Sequence, residues 1–188
     1  ANDYASFFED TLRAGHFENR RESVDLMIRA SRSVIDNLVN FGVGFAQNDD
    51  GSLRYTREGA HSRARICYHQ DTTGAEITTK LLVAVKQLAN VHILENTCMD
   101  DILTEASVSL RNSQYTRQVS RAKNARERCR GIVAHSDNGR TLSISANATV
   151  WACGGIGGMY KRSTNFPCLT GDALRIAQTY GIALEHTD

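Results

Sequence analysis

Two short stretches of this chain hold residues whose types and spacing suit chemistry. The first is Val150-Trp-Ala-Cys-Gly-Gly-Ile-Gly-Gly-Met-Tyr160, an apolar run that empties into glycines. Residues without a Cβ reach φ > 0 and bare their N–H groups, so such a turn is either a nucleotide contact or a tight structural corner. It is not the dinucleotide fingerprint, because no set of glycines fits G-x-G-x-x-G: Gly155 and Gly157 lead to Tyr160, and Gly42 and Gly44 lead to Gln47. The second stretch is Thr56-Arg-Glu-Gly-Ala-His-Ser62, which sets a carboxylate (Glu58), an imidazole (His61) and a hydroxyl (Ser62) side by side. Taken alone, these are loop residues of the kind that face water.

Other reactive residue types form no site. Cys67, Cys98, Cys129, Cys153 and Cys168 are an odd set without a C-x-x-C pair, which reads as free thiols in a reducing compartment. His69 and Asp71 lack a third and fourth ligand at usable spacing, so no metal is expected. The sequon Asn147-Ala-Thr149 is a chance match in a chain read as cytoplasmic.

The elements that must position these stretches follow from periodicity. A short helix over residues 4–14 places Phe7, Phe8 and Leu12 on one side and stops at Gly15. A longer helix over 20–40, with Asn19 as N-cap, carries Val24, Met27, Ile28, Val34, Ile35 and Leu38 on one face. Residues 48–51 form a turn, 65–69 a brief strand, and 72–88 a helix capped by Asp71. Residues 91–94 read as a strand, so that helix and strand meet as in a βαβ unit. Asp137-Asn-Gly139 between residues 131–135 and 141–145 signals a hairpin; residues 148–152 read as a buried strand, and 172–179 as the last helix, with Asp172 a natural N-cap.

Composition fixes the broad class. With 41% hydrophobic and 23% charged residues in 188, the chain is globular, and no apolar run reaches the roughly 18 residues of a membrane span. The formal charge of +1 gives no general reason to expect nucleic acid or membrane. That neutrality is an average, since residues 111–130 hold seven Lys or Arg against Glu127 alone. This basic 105–130 segment reads as a solvated excursion or as a partner-binding arm, and the second reading would make the chain a non-catalytic interaction module.

The order of the motifs carries a resemblance. Thr56-Arg-Glu-Gly-Ala-His-Ser62, Arg65-Ile66, Asp71-Thr-Thr-Gly74, Val150-Trp-Ala-Cys-Gly-Gly155, Tyr160, Ser163-Thr-Asn165 and Thr170-Gly-Asp172 resemble the L-aspartate oxidase branch of the succinate dehydrogenase/fumarate reductase flavoproteins. The R-E-G-x-H-S run selects that branch over the fumarate reductase and succinate dehydrogenase branches. Two positions depart from the family pattern: Cys153 stands where threonine is usual, and Ala173 where glycine is usual.

The resemblance implies an α/β fold: an incomplete Rossmann-like FAD-binding domain, with helices on a partial sheet plus a β-hairpin or meander, forming one partial domain over 1–188. Its parts would be 1–104, 105–130 and 131–188. The implied activity is oxidation of L-aspartate to iminoaspartate by FAD, with oxygen or fumarate as electron acceptor, at the start of NAD (quinolinate) biosynthesis. By resemblance Glu58 matches an active-site position and is the catalytic candidate, and His61 and Ser62 are substrate-loop candidates. Met99 and Asp100 would lie by the adenine, while Ala152, Cys153, Gly154, Gly155 and Asp172 would contact the flavin side of FAD. The family's G-x-G-x-x-G unit and capping domain have no counterpart in these residues, so the chain is expected to be an internal fragment, inactive alone and prone to self-association through unpaired strand edges.

Overall fold

A computed structural model describes residues 3–105 and 128–184. The chain divides into two compact units, residues 1–93 and 94–188.

In the first unit, helix α1 (Tyr4–Ala14) packs on helix α2 (Arg21–Asn40). The seam follows helical spacing: Leu12 meets Val24 and Ile28 in a buried cluster, flanked by Tyr4, Phe7 and Phe8. Polar groups fasten its rim, where the Tyr4 hydroxyl donates to Asp25 and Arg29 grips the same carboxylate one helical turn on. Asn19 does not cap α2. Arg20 occupies that position, no side chain caps it, and the Asn19 amide lies against Gly15, where a Cβ would come within 2.1 Å of its oxygen. The tight α1–α2 turn claims the side chain that the sequence offered as a cap.

After α2, Val43 and Phe45 are buried, and the Gly44 peptide between them is held from both sides. Its N–H donates to Glu76 at 2.9 Å and its carbonyl receives the His69 ring. The turn expected at 48–51 is present, closed by the bridge between Gln47 and Leu53. Strands β1 (Tyr55–Thr56) and β2 (Ile66–Cys67) pair antiparallel and pin the two ends of the polar loop. Helix α3 (Thr73–Lys86) starts after Thr72 rather than Asp71, because the Thr73 hydroxyl turns back to accept the His69 N–H.

The second unit is an antiparallel meander, β3 (Thr97–Thr104), β4 (Cys129–Ser136) and β5 (Thr141–Ser145), in the order β3-β4-β5. The β4–β5 hairpin closes at Asp137-Asn-Gly139, with Gly139 at φ 78°. Helix α4 (Asp172–Thr179) packs on β3 through buried Ile176 and Ala177.

Two expected strands are absent. Residues 91–94 join no ladder, and their apolar side chains Val91, Ile93 and Leu94 are exposed; the strand begins at Thr97, where β4 supplies a partner. Residues 148–152 likewise join no ladder among the described residues, and Val150 is 87% exposed. Apolar runs suggest strands, but only a neighbouring ladder makes one. The sheets described are therefore antiparallel, without the parallel βαβ pairing that the pattern suggested. The basic segment falls almost wholly in 106–127, outside the described residues.

Candidate functional site

The site residues lie in both units. In the first unit the polar loop leaves β1 after Thr56 and returns to β2, closed by a backbone hydrogen bond from Arg65 N–H to the Thr56 carbonyl at 3.2 Å. Its tip exposes Arg57, Glu58 and Gly59, and Ala60 adopts φ 70°, a left-handed conformation that a side chain enters only at a cost. His61 N–H donates to the Glu58 carbonyl at 3.3 Å, folding the tip back on itself.

What fixes the loop is a residue whose part in it the motifs did not reveal. The Arg65 side chain is only 8% exposed. Its guanidinium donates to Asp3 at 2.7 Å, to Asp10 at 2.7 Å and to the Ser6 hydroxyl at 3.1 Å, and lies over the Phe7 ring at 5.0 Å. It also meets His61 Nδ1 at 3.0 Å. The Ser62 amide and hydroxyl both donate to the same Asp10 oxygen, each at 2.7 Å. Three donors on one oxygen hold the Asp10 carboxyl far below the usual carboxylate range, Ser62 contributing most and Arg65 next. Asp3 is drawn down to about 2, chiefly by Arg65 and then by the Ser6 hydroxyl. Both carboxylates, and hence the lock, are charged at neutral pH. The signal available in the sequence was Asp10 seven residues after Asp3, two acids on one face of a helix that also carries Phe7 and Phe8.

In the second unit, residues 154–158 lie along residues 166–171, joined by Gly171 N–H to the Gly155 carbonyl at 3.2 Å and Gly158 N–H to the Leu169 carbonyl at 3.0 Å. Most of these glycines answer to packing. A Cβ on Gly158 would sit 2.6 Å from the Phe166 carbonyl oxygen, one on Gly157 2.5 Å from the Asn165 amide, and one on Gly154, at φ 71°, 2.7 Å from Leu169. Gly155 is different: nothing lies within 4 Å of its Cβ position. Among the described residues nothing crowds its Cβ position, and exposed Ala152 and Cys153 lie beside it in the chain.

Gly171, at φ 73°, rather than Asp172, caps α4; Asp172 is the first helical residue, and its carboxylate accepts from the Thr170 hydroxyl at 3.0 Å. On the meander, the ladder between β3 and β4 shifts register between Met99 and Asp101, leaving Asp100 in the bulge. The Asp100 carboxylate meets His135 Nδ1 at 2.7 Å, and its carbonyl accepts from Arg175 of α4 at 3.1 Å. These two contacts pin the bulge from the neighbouring strand and from the helix.

Of the residues expected to contact FAD, Gly155 has open space at its Cβ position, which is compatible with a ligand approaching its backbone. An L-aspartate oxidase of Clostridium acetobutylicum is 38% identical over 176 residues, covering 94% of this chain and 36% of that protein. One from Pseudomonas aeruginosa is 30% identical, covering 94% and 32%. The chain thus spans about a third of the length of these relatives. Among solved structures, Escherichia coli quinol fumarate reductase superimposes with a TM-score of 0.78 at 24% identity, covering 94% of this chain and 27% of that one. A quinol–fumarate reductase with menaquinol molecules gives 0.77 at 24%, covering 93% and 27%. The FAD binding domain family matches residues 1–188, the whole of this sequence, and on that match the protein belongs to the FAD binding domain family.

Proposed function

We propose that the complete protein carrying this chain oxidises L-aspartate to iminoaspartate, passing electrons to oxygen or fumarate. The observation that carries this reading is the match at 38% identity to an L-aspartate oxidase across a region that includes the Arg57–Ser62 run. FAD, the cofactor of the family, supplies the hydride acceptor when bound. The chain's own residues would orient and hold. Gly154 and Gly155, with Ala152 and Cys153, would face the flavin side of the cofactor. The Asp172 carboxylate, already an acceptor for Thr170, suits ribityl hydroxyls better than phosphate oxygens, because it can only accept. Met99 and Asp100 would present the bulged backbone to the adenine. Glu58, on an exposed loop tip, would pair with the substrate ammonium, a charge-assisted contact that a dicarboxylate lacking nitrogen cannot make. His61 and Ser62 would complete the substrate loop.

The discriminating experiment is turnover by the complete flavoprotein. Aspartate-dependent reduction of bound FAD, lost in Glu58→Gln through a raised KM of about 10- to 100-fold, supports the assignment. Fumarate reduction by an artificial donor with no response to aspartate would reassign it to the fumarate reductase and succinate dehydrogenase branch.

A further inference from the structure

Arg65 does more than anchor a loop. A guanidinium carries only N–H donors, so the ring nitrogen it meets must accept. His61 Nδ1 lies 3.0 Å from Arg65 Nη1, while other Arg65 donors are taken by Asp3 and Ser6. A proton on Nδ1, in either the neutral or the doubly protonated ring, would place two donors face to face. The single proton of the neutral ring therefore belongs on Nε2. Phe7 steadies both partners, lying under the guanidinium and edge-on to the imidazole at 5.6 Å between centroids. Asp10 and Asp3 hold Arg65 from the other side, so the orientation of the His61 ring is set from helix α1.

We propose that Arg65 is a positioning residue that fixes His61 as a neutral imidazole with its proton on Nε2, making it a hydrogen-bond donor, rather than a proton acceptor, toward a carboxylate oxygen of the ligand held by the loop. This rests on the substrate-loop reading above and extends it. Glu58 selects an ammonium and His61 donates to a carboxylate, so the loop recognises an amino acid by both of its charged ends. It also excludes His61 as the base that removes a substrate proton, since its free ring nitrogen is engaged by Arg65.

Two measurements on the complete FAD-loaded protein test this. With ring-15N histidine, the long-range 1H–15N spectrum, with His61 assigned by its loss in His61→Asn, should show a protonated Nε2 and a bare Nδ1 at neutral pH. A protonated Nδ1 or an imidazolium would overturn the proposal, and neither result depends on which reaction the enzyme runs. Arg65→Lys, which keeps a donor, should retain this pattern, and Arg65→Gln should release it to a mixture of tautomers. In steady-state assays with L-aspartate, His61→Gln can place an amide N–H near the Nε2 position, whereas His61→Asn reproduces only the Nδ1 end. His61→Asn should raise KM about 10- to 100-fold with kcat within about threefold, and His61→Gln should restore most of the loss. Equal damage in both, or a loss confined to kcat, would overturn the donor role. Absence of aspartate turnover in the unaltered protein would refute the proposed reaction and leave the spectrum to decide the tautomer.

Discussion

The loop at residues 56–65 and the glycine turn at 154–158 are both held in one shape, by opposite means. The loop is held by side chains: Arg65, Asp10, Asp3 and Ser62 converge within hydrogen-bond distance around one carboxylate oxygen and one guanidinium. The turn is held by the lack of them, because Gly154, Gly157 and Gly158 let a second segment close to within contact of their backbone. One lock is electrostatic and answers to protons. The other is steric and answers only to volume.

The largest effect expected from breaking this contrast is Gly158→Ala. Its Cβ would meet two backbone carbonyl oxygens, at 2.6 and 2.7 Å, neither of which can swing aside as a side chain would. A loss of about 2–3 kcal/mol in denaturant unfolding is expected, without change between pH 4 and 8. Gly155→Ala should behave oppositely. With open space around the new methyl group, unfolding should move by less than about 0.5 kcal/mol, yet FAD affinity, read by fluorescence titration, should fall about 10-fold if the bare backbone is the ligand's contact. An unchanged affinity would reduce this glycine to a chance residue and leave the turn purely structural.

Acid sharpens the comparison from the other side. Asp3 titrates at about 2 in the folded chain against 3.8 for the free side chain, and Asp10 lies lower still. A carboxylate with a depressed folded pKa contributes stability above its unfolded value, and that contribution is lost as pH falls through the folded one. The loop lock should therefore be complete at pH 5 and above, and weaken from about pH 4 toward pH 2. Asp10→Asn should reproduce part of that weakening at neutral pH, raising hydrogen exchange at the Ser62 amide on the order of 10-fold while the Gly158 amide is unmoved. The smallest change expected is Ala60→Gly. Relief of a left-handed alanine should offset the added freedom of glycine to within about 1 kcal/mol, with the visible effect on KM rather than on unfolding.

Much of the local structure was legible in the residues. Helix α1 follows from spacing and from Gly15, which ends it; helix α4 matches the expected 172–179, although Gly171 and not Asp172 caps it; and the β4–β5 hairpin follows from Asp137-Asn-Gly139. What periodicity misjudged were residues 91–94 and 148–152, apolar runs that need a neighbouring strand to become strands themselves, and the cap role given to Asn19, which the α1–α2 turn uses for packing against Gly15. At the site, motif order placed Glu58, His61 and Ser62 on one loop, but the residue that locks them is explained by Asp3 and Asp10, some 55 to 62 positions away in the chain. The i,i+7 spacing of Asp3 and Asp10 marks a shared helix face, but nothing periodic names Arg65 as its partner. Likewise, four glycines in one turn look equivalent as letters, and only their neighbours separate Gly155 from the rest.

The single Asp10 oxygen shared by Ser62 and Arg65 has a dynamic consequence. Because the helix and the loop own no separate fastenings at that point, they open together or not at all. Exchange protection at the Ser62 amide should rise and fall with that of the last turns of α1, so that the first helix of the chain, remote in sequence from the loop, sets how often the loop is available to a ligand.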